Sequence, residues 1–226
     1  MHGENLTISY IHGNVEAVHE DNGSIIIPSV DSKLEGNLLY GTGKGSRLEV
    51  LGDQLTWRVG SLSFIKLSQA NSLYIHSGSV LFCTNNETTS LNITSRNSQA
   101  VFEGSGTIII ESLENGGFKV IPLEVDGTLK TNKDDTKQLI GGRMLLVLGI
   151  PSYLGSAYDI DIILLLQSSR LVNLFPEPLS TFDQIGLAVY VQQLKLKGKY
   201  DALIGDAKTE KTLQIWGFGP KPNTEE

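Results

Sequence analysis

The sequence predicts a mainly β protein that turns helical toward its C-terminal end, and three observations carry that reading. Up to Gly149 the chain holds 18 of its 24 glycines but only 2 of its 7 prolines. Over the same stretch the apolar residues come in short runs, rich in Ile, Val, Leu, Phe and Thr, separated by Gly, Asn, Asp and Ser. That punctuation belongs to strands joined by tight turns. After Pro151 the apolar residues spread to helical offsets. The expected organisation is an all-β domain over 1–150, a helical extension packed on it over 151–218, and a flexible tail over 219–226.

Strands are expected at Ile25-Ile26-Ile27, Arg47 to Leu51, Ser61 to Leu67, Ser72 to Phe82, Thr107 to Glu111, Phe118 to Val125 and Arg143 to Leu148. Between them lie Asp21-Asn22-Gly23, Glu114-Asn115-Gly116-Gly117 and Val125-Asp126-Gly127. Asn-Gly and Asp-Gly supply the positive φ angles of hairpin turns. A recurrence of about ten to fifteen residues fits a sandwich, a barrel or a β-solenoid, and periodicity alone does not choose among them.

Beyond Pro151, Ile160, Ile163, Leu164, Leu171 and Val172 predict a helix over Asp159 to Asn173, with Asp159 and Asp161 able to cap or charge its start. Ser180 and Asp183 resemble a capping box for a second helix, Thr181 to Lys197, along which Phe182, Ile185, Val189 and Leu196 trace one stripe. Pro176 and Pro178 separate the two helices and Gly198 suits a C-terminal stop, so an αα-hairpin is expected. The stretch from Gly219 to Glu226 has nothing to bury.

With 18 basic and 25 acidic side chains the 226-residue chain carries a net charge of −7, which disfavours nucleic acid or an anionic membrane as the main partner. Cys83 is the single cysteine, so no intrachain disulfide and no cysteine-built metal site can form; a small buried residue is expected there. The longest apolar run, Ile162 to Leu166, is far too short to cross a bilayer, so no transmembrane segment is expected. Met1 to Asn5 lack the basic start and apolar centre of a signal peptide, which fits a cytosolic chain or one whose leader has been removed.

Gly41-Thr42-Gly43-Lys44-Gly45-Ser46 looks superficially like a phosphate loop. Its spacing fails both the dinucleotide and the P-loop pattern, and the following Arg47 to Leu51 alternates like a strand, so no helix N-terminus would face an anion. His2, His12, His19 and His76 are dispersed; His76 is expected beside Tyr74 on one strand face, as a surface or satisfied residue. Paired carboxylates for glycoside cleavage would be the serious enzymatic option. Asp159 and Asp161, Asp134 and Asp135, and Glu111 and Glu114 are each better read as cap or turn chemistry. Binding of polysaccharide would need an exposed aromatic row, for which Trp57, Tyr74 and Tyr40 are the candidates.

From about Ser9 to Leu148 the order of elements resembles a FecR domain, the extracytoplasmic β-rich module of iron-responsive transmembrane regulators. Ile11-His12-Gly13-Asn14-Val15 matches the usual first strand, and Gly41 to Val50 resembles the signature of threonine-glycine, glycine-serine, then a basic or small residue and Glu-Leu. Arg58 to Ser61 and Leu73 to Val80 continue the series. Gly106-Thr107 then resembles the Gly-Thr strand, and Gly116 and Gly117 its hairpin. Lys119 to Glu124 resembles a strand that ends in Glu-Gly, with Val125-Asp126 intervening before Gly127 and lengthening the expected turn; Ile140 to Arg143 matches the late element.

The resemblance implies an all-β, twisted solenoid-like fold working in the periplasm or outside the cell, without catalysis and without cofactor or metal. It carries over Gly41, Gly45, Ser46, Arg47, Gly78, Gly106, Thr107, Gly116, Gly117 and Gly127 as structural positions for turns and stacking, not as active-site residues. Unlike the regulators, the chain is expected to have no cytoplasmic anti-sigma segment and no membrane helix, with a helical tail expected where their signalling partner domain lies, as in secreted stand-alone members. The expected function is a non-enzymatic interaction or signalling module that binds an envelope protein by a strand edge or by the helical tail, which is also a candidate oligomerisation surface. The rival expectation is a polysaccharide-binding or polysaccharide-cleaving surface protein.

Overall fold

The computed structural model describes residues 6–69, 71–84, 87–133 and 135–196. The expected helix stop at Gly198 and the tail over 219–226 lie outside the described residues, as does Asp134. The strands are β1 (Thr7–His12), β2 (Val15–His19), β3 (Ile25–Ile26), β4 (Leu38–Thr42), β5 (Arg47–Leu51), β6 (Leu55–Val59), β7 (Phe64–Gln69), β8 (Ser72–Ser77) and β9 (Ser79–Thr84). They continue with β10 (Thr89–Thr94), β11 (Gln99–Ser112), β12 (Phe118–Thr131), β13 (Thr136–Gln138), β14 (Arg143–Leu148), β15 (Tyr153–Leu154) and β16 (Tyr158–Asp159). The helices α1 (Ile162–Ser168), α2 (Arg170–Asn173) and α3 (Phe182–Leu196) follow.

The fold is mainly β with a C-terminal helical region. An eleven-strand path, β1-β5-β6-β9-β11-β10-β8-β7-β4-β2-β3, curls into a half-barrel. Its centre is the long hairpin of β11 and β12, closed by the Glu114 to Gly117 turn that the sequence predicts. One edge of β11 pairs with β12 along its whole length. Its other edge is shared, with Gln99–Gly104 pairing to β10 and Thr107–Glu111 to β9. Two leaves therefore leave one strand and curve over a common interior.

Several expected elements change in the structure. Ser72 to Phe82 is two strands, because Gly78 adopts φ +85°, and a Cβ there would lie 2.2 Å from Ser63 Oγ and 2.4 Å from its Cα. That corner carries the chain from the β7–β8 leaf to the β9 leaf. The matched first strand, Ile11 to Val15, is broken at Gly13-Asn14 between β1 and β2. Val125-Asp126-Gly127 is no turn at all: it lies inside β12, opposite Gly106, Ser105 and Gly104. A Cβ on Gly104, Gly106 or Gly127 would come within 2.5 Å of a backbone carbonyl oxygen on the opposite strand, so these glycines serve close approach of two long strands.

The helix expected over Asp159 to Asn173 starts later and breaks once. Tyr158 and Asp159 pair with β14, and Asp161 is the N-cap, its carboxylate accepting from Leu164 N at 3.1 Å. Ser169 (φ −73°, ψ 117°) is extended and separates α1 from α2. The buried positions are Ile162, Leu165, Leu171 and Val172; Ile163 is half-buried and Leu164 exposed. In α3, Ile185 is buried as expected, whereas Phe182 is 52% exposed and Val189 only half-buried.

Two apolar layers result. Inside the half-barrel, Val80, Phe82, Ile108, Ile110, Phe118, Val120, Leu145 and Val147 join Trp57, Phe102 and Leu91 in one cluster. On the outer face, Leu81, Cys83, Ile109, Ile121, Leu123 and Met144 pack beneath the helices against Leu165, Leu171, Leu179 and Ile185. Neighbours such as Phe82 and Cys83 thus enter different layers, as strand alternation requires.

Candidate functional site

The pairing registers lay three rows across the helix-covered face. The first is Glu49, Arg58, Leu81, Ile109 and Ile121; the second Thr56, Cys83, Thr107 and Glu124; the third Ser79, Glu111 and Lys119. Each row does distinct work.

In the first row, Arg58 is 1% exposed and its Nε meets Glu49 Oε2 at 2.8 Å, while Ser9 Oγ donates to the other Glu49 oxygen at 2.9 Å. The remaining guanidinium nitrogens donate to the carbonyls of Leu171, Val172 and Glu177, and the group lies 4.6 Å from the centre of the Phe175 ring. Arg58 therefore holds the end of α2 and the following loop to the sheet. A planar cation with several fixed donors suits that task.

In the second row, Thr107 and Thr181 share a 2.5 Å hydroxyl hydrogen bond, and Cys83 Sγ lies 3.5 Å from Thr181 Oγ1. The start of α3 is set by Thr181 rather than Ser180: Ile185 N donates to Thr181 O. In the third row Lys119, 1% exposed, forms an ion pair with Glu111 directly opposite it. Glu111 thus belongs to a buried pair and not to turn chemistry.

The second row ends in a cleft of about 630 Å³ between α3 and the sheet, with Glu124, Ile140, Arg143, Gln184, Leu187 and Val191 among its walls. Glu124 faces this cleft because of a β-bulge. Thr107 pairs with Glu124 and Ile108 with Pro122, so Leu123 is an extra residue that resets the alternation of β12. Without it, Glu124 would turn into the half-barrel interior. Burial, with Asp126 adding repulsion, pushes the Glu124 carboxyl above its ordinary range. Glu124 Oε2 and Gln184 Oε1 are both buried and accept no hydrogen bond among the described residues. Arg143 Nε is engaged by Asp159 at 3.1 Å. Gln192, buried on α3, accepts from Ile162 N at 3.0 Å and donates to the carbonyls of Ile160 and Gly142, closing the floor beneath α3.

The outer side of α3 sets large apolar residues among the exposed polar Asp183 and Gln193. Phe182, Gly186 and Tyr190 follow at i, i+4 and i+8, with Tyr190 62% exposed and open space above Gly186; Leu187, 64% exposed, stands on the cleft side. A second exposed apolar group lies on the terminal strand β3 and just beyond it, at Ile25, Ile26 and Ile27.

The ten positions carried over from the sequence resemblance occupy three separate places. Gly41, Gly45, Ser46 and Arg47 flank the β4–β5 turn, with Gly78 at a nearby corner. Hydroxyls stitch that end together: Gly45 N donates to Ser61 Oγ at 2.7 Å, Asn14 N to Ser46 Oγ at 2.8 Å, and Ser79 N to Ser63 Oγ at 3.0 Å. Gly106, Thr107 and Gly127 lie where β11 crosses β12. Gly116 and Gly117 close the hairpin tip. Only Thr107 touches the α3 region directly. His76 is exposed beside Tyr74, 3.3 Å from its hydroxyl, and Cys83 is buried. Of the three aromatics a polysaccharide row would need, Trp57 and Tyr40 are buried in the core.

Sequence reasoning passed over Gln184, Gln192 and the roles of Arg58 and Glu124. Gln192 had a signal: it sits seven residues after Ile185, where the apolar stripe expects another core side chain. The bulge that re-aims Glu124 leaves no comparable mark.

Among the described residues, no helix is long and apolar enough to cross a membrane. No family model and no curated protein sequence matches the chain. The chain is similar to two crystal structures of candidate anti-sigma factors from Parabacteroides distasonis. One has a TM-score of 0.43 and 10% identity, covering 57% of this chain and 64% of that one. The other has a TM-score of 0.44 and 9% identity, over 79% of this chain and 97% of that one.

Proposed function

We propose that the chain is a non-catalytic interaction module of the FecR kind, working outside the cytoplasm, that binds an envelope protein through the exposed face of α3. The observation that carries this reading is the stripe of Phe182, Gly186 and Tyr190 with Leu187 beside it, presented on a helix that is itself firmly docked. Large apolar side chains gathered on one exposed face mark interaction surfaces. Gly186 leaves a notch between two aromatic side chains into which a partner's side chain fits, which is how an aromatic anchor and a pocket concentrate binding energy. The ordered FecR-like series in the sequence supports the same reading, as does the burial of Trp57 and Tyr40, which leaves Tyr74 alone of the three aromatics expected to form a carbohydrate row.

The test is capture from native envelope extracts by the full chain, compared with a Phe182→Ser/Tyr190→Ser variant, with retained proteins identified by mass spectrometry. A defined protein retained by the wild type and lost by the variant, at unchanged thermal midpoint, is the expected outcome. Equal retention by both sinks the reading. If only extracted polysaccharide is retained, the carbohydrate alternative replaces it. Light scattering of the same pair shows whether the partner is a second copy.

A further inference from the structure

Resting on that reading, we propose that the cleft between α3 and β12 receives a basic side chain, lysine or arginine, of the bound partner. Two residues that line this one space each carry an unsatisfied acceptor: Glu124 Oε2 and Gln184 Oε1 are buried and accept no hydrogen bond among the described residues. Buried polar atoms are nearly always paired, and one left alone costs about 1–3 kcal/mol. The group that satisfies both is a donor with more than one N–H, which describes an ammonium or a guanidinium.

Charge selects a cation over a neutral donor. Arg143 pairs with Asp159 on the cleft wall, which leaves Glu124, with Asp126 near it, as the uncompensated charge among the described residues lining the cleft. The walls complete the match. Ile140, Leu187 and Val191 offer apolar surface to the methylene stem of a long basic side chain, whose head then reaches the two oxygens. At about 630 Å³ the cleft has room for that side chain and part of its neighbours, within the usual range of ligand clefts. Leu187 faces both the cleft and the exposed face of α3, so a partner seated on Phe182 and Tyr190 brings its basic residue over the edge of the helix.

The experiment selects binders from a random dodecapeptide display library on the immobilised full chain. Winners are expected to carry a lysine or arginine flanked by aliphatic or aromatic residues. Replacing that basic residue with glutamine, or Glu124 with glutamine in the protein, should weaken the synthetic winner by at least about tenfold. The Glu124→Gln variant must be at least as thermally stable as the wild type, and Leu187→Lys, which sets a like charge at the cleft mouth, provides a second, independent block. A library without enrichment, winners without a basic residue, or a Glu124→Gln affinity within twofold of wild type overturns the proposal. Envelope capture separates the two levels: a Glu124→Gln chain that still retains the partner in full removes the basic-side-chain inference and leaves α3 binding standing. A wild type that captures nothing removes both.

Discussion

β9 and β10 lie along the same edge of β11, yet the two strands are built differently. β9, Ser79-Val80-Leu81-Phe82-Cys83-Thr84, is buried at every position after its first. In β10, Thr89-Ser90-Leu91-Asn92-Ile93-Thr94, only Leu91 and Ile93 are buried. The reason is the second layer: the helices cover the outer face of β9, β11 and β12 near Thr107–Glu111, and none of the described residues covers the outer face of β10. A strand buried on both sides reads as a continuous apolar run, and a strand buried on one side alternates. The half-barrel is therefore stable as a curled sheet in one half and serves as a platform for α1, α2 and α3 in the other.

That comparison can be broken most severely at Leu81. Leu81→Asn places an amide between sheet and helices and should cost about 4 kcal/mol, measured by urea unfolding, because it combines a lost apolar contact with a buried polar group. Next comes Arg58→Ala, expected to cost about 3 kcal/mol, since it strands the Glu49 carboxylate and frees two carbonyls of α2 and one of the following loop. Arg58→Met combined with Glu49→Leu should recover most of that loss, which a purely geometric role for Arg58 would not allow. Smaller and opposite in sign, Gly186→Ala should stabilise α3 by about 0.5–1 kcal/mol, the helix having open space at that site. The same change fills the notch and should weaken partner capture, separating stability from binding. Asn92→Thr, on the uncovered face, should stay within about 0.5 kcal/mol of wild type. A large effect there would mean that something also covers β10.

Glu124 sharpens the contrast through pH. Its carboxyl lies above the ordinary range, so between the unfolded and the folded pKa the folded chain binds more protons than the unfolded one. Stability then falls as pH rises through that window, and Glu124→Gln should flatten the fall in a series of thermal midpoints. A steeper fall in the variant would assign the titration to another group.

The strands the sequence announces most clearly are those whose two ends are punctuated. β5 and β14 run from Arg47 to Leu51 and from Arg143 to Leu148, as read from their runs, and Glu114 to Gly117 closes the hairpin as Asn-Gly chemistry demands. Glycine misled where its purpose was different. At Gly78 it breaks a run that looked continuous, and at Gly127 it continues a strand that looked finished, because one glycine makes a corner and the other admits an opposing backbone. Short β4, β6 and β10 carry no long apolar run to announce them; packing across the sheet stabilises them.

The candidate site was less legible. Thr107 and the capping role of Asp161 were visible as motif and cap, whereas the pairing of Arg58 with Glu49 depends on two neighbouring strands nine residues apart and on a loop more than a hundred residues later. By itself the sequence determined the mainly β class, the helical C-terminal region and the buried cysteine, because these follow from local pattern and side-chain chemistry. Tertiary structure alone decided that β11 would serve two leaves, that a bulge at Leu123 would turn Glu124 outward, and that Phe182 would face solvent. Those outcomes depend on which backbones meet and in what register, and a one-residue shift in register exchanges the two faces of a strand.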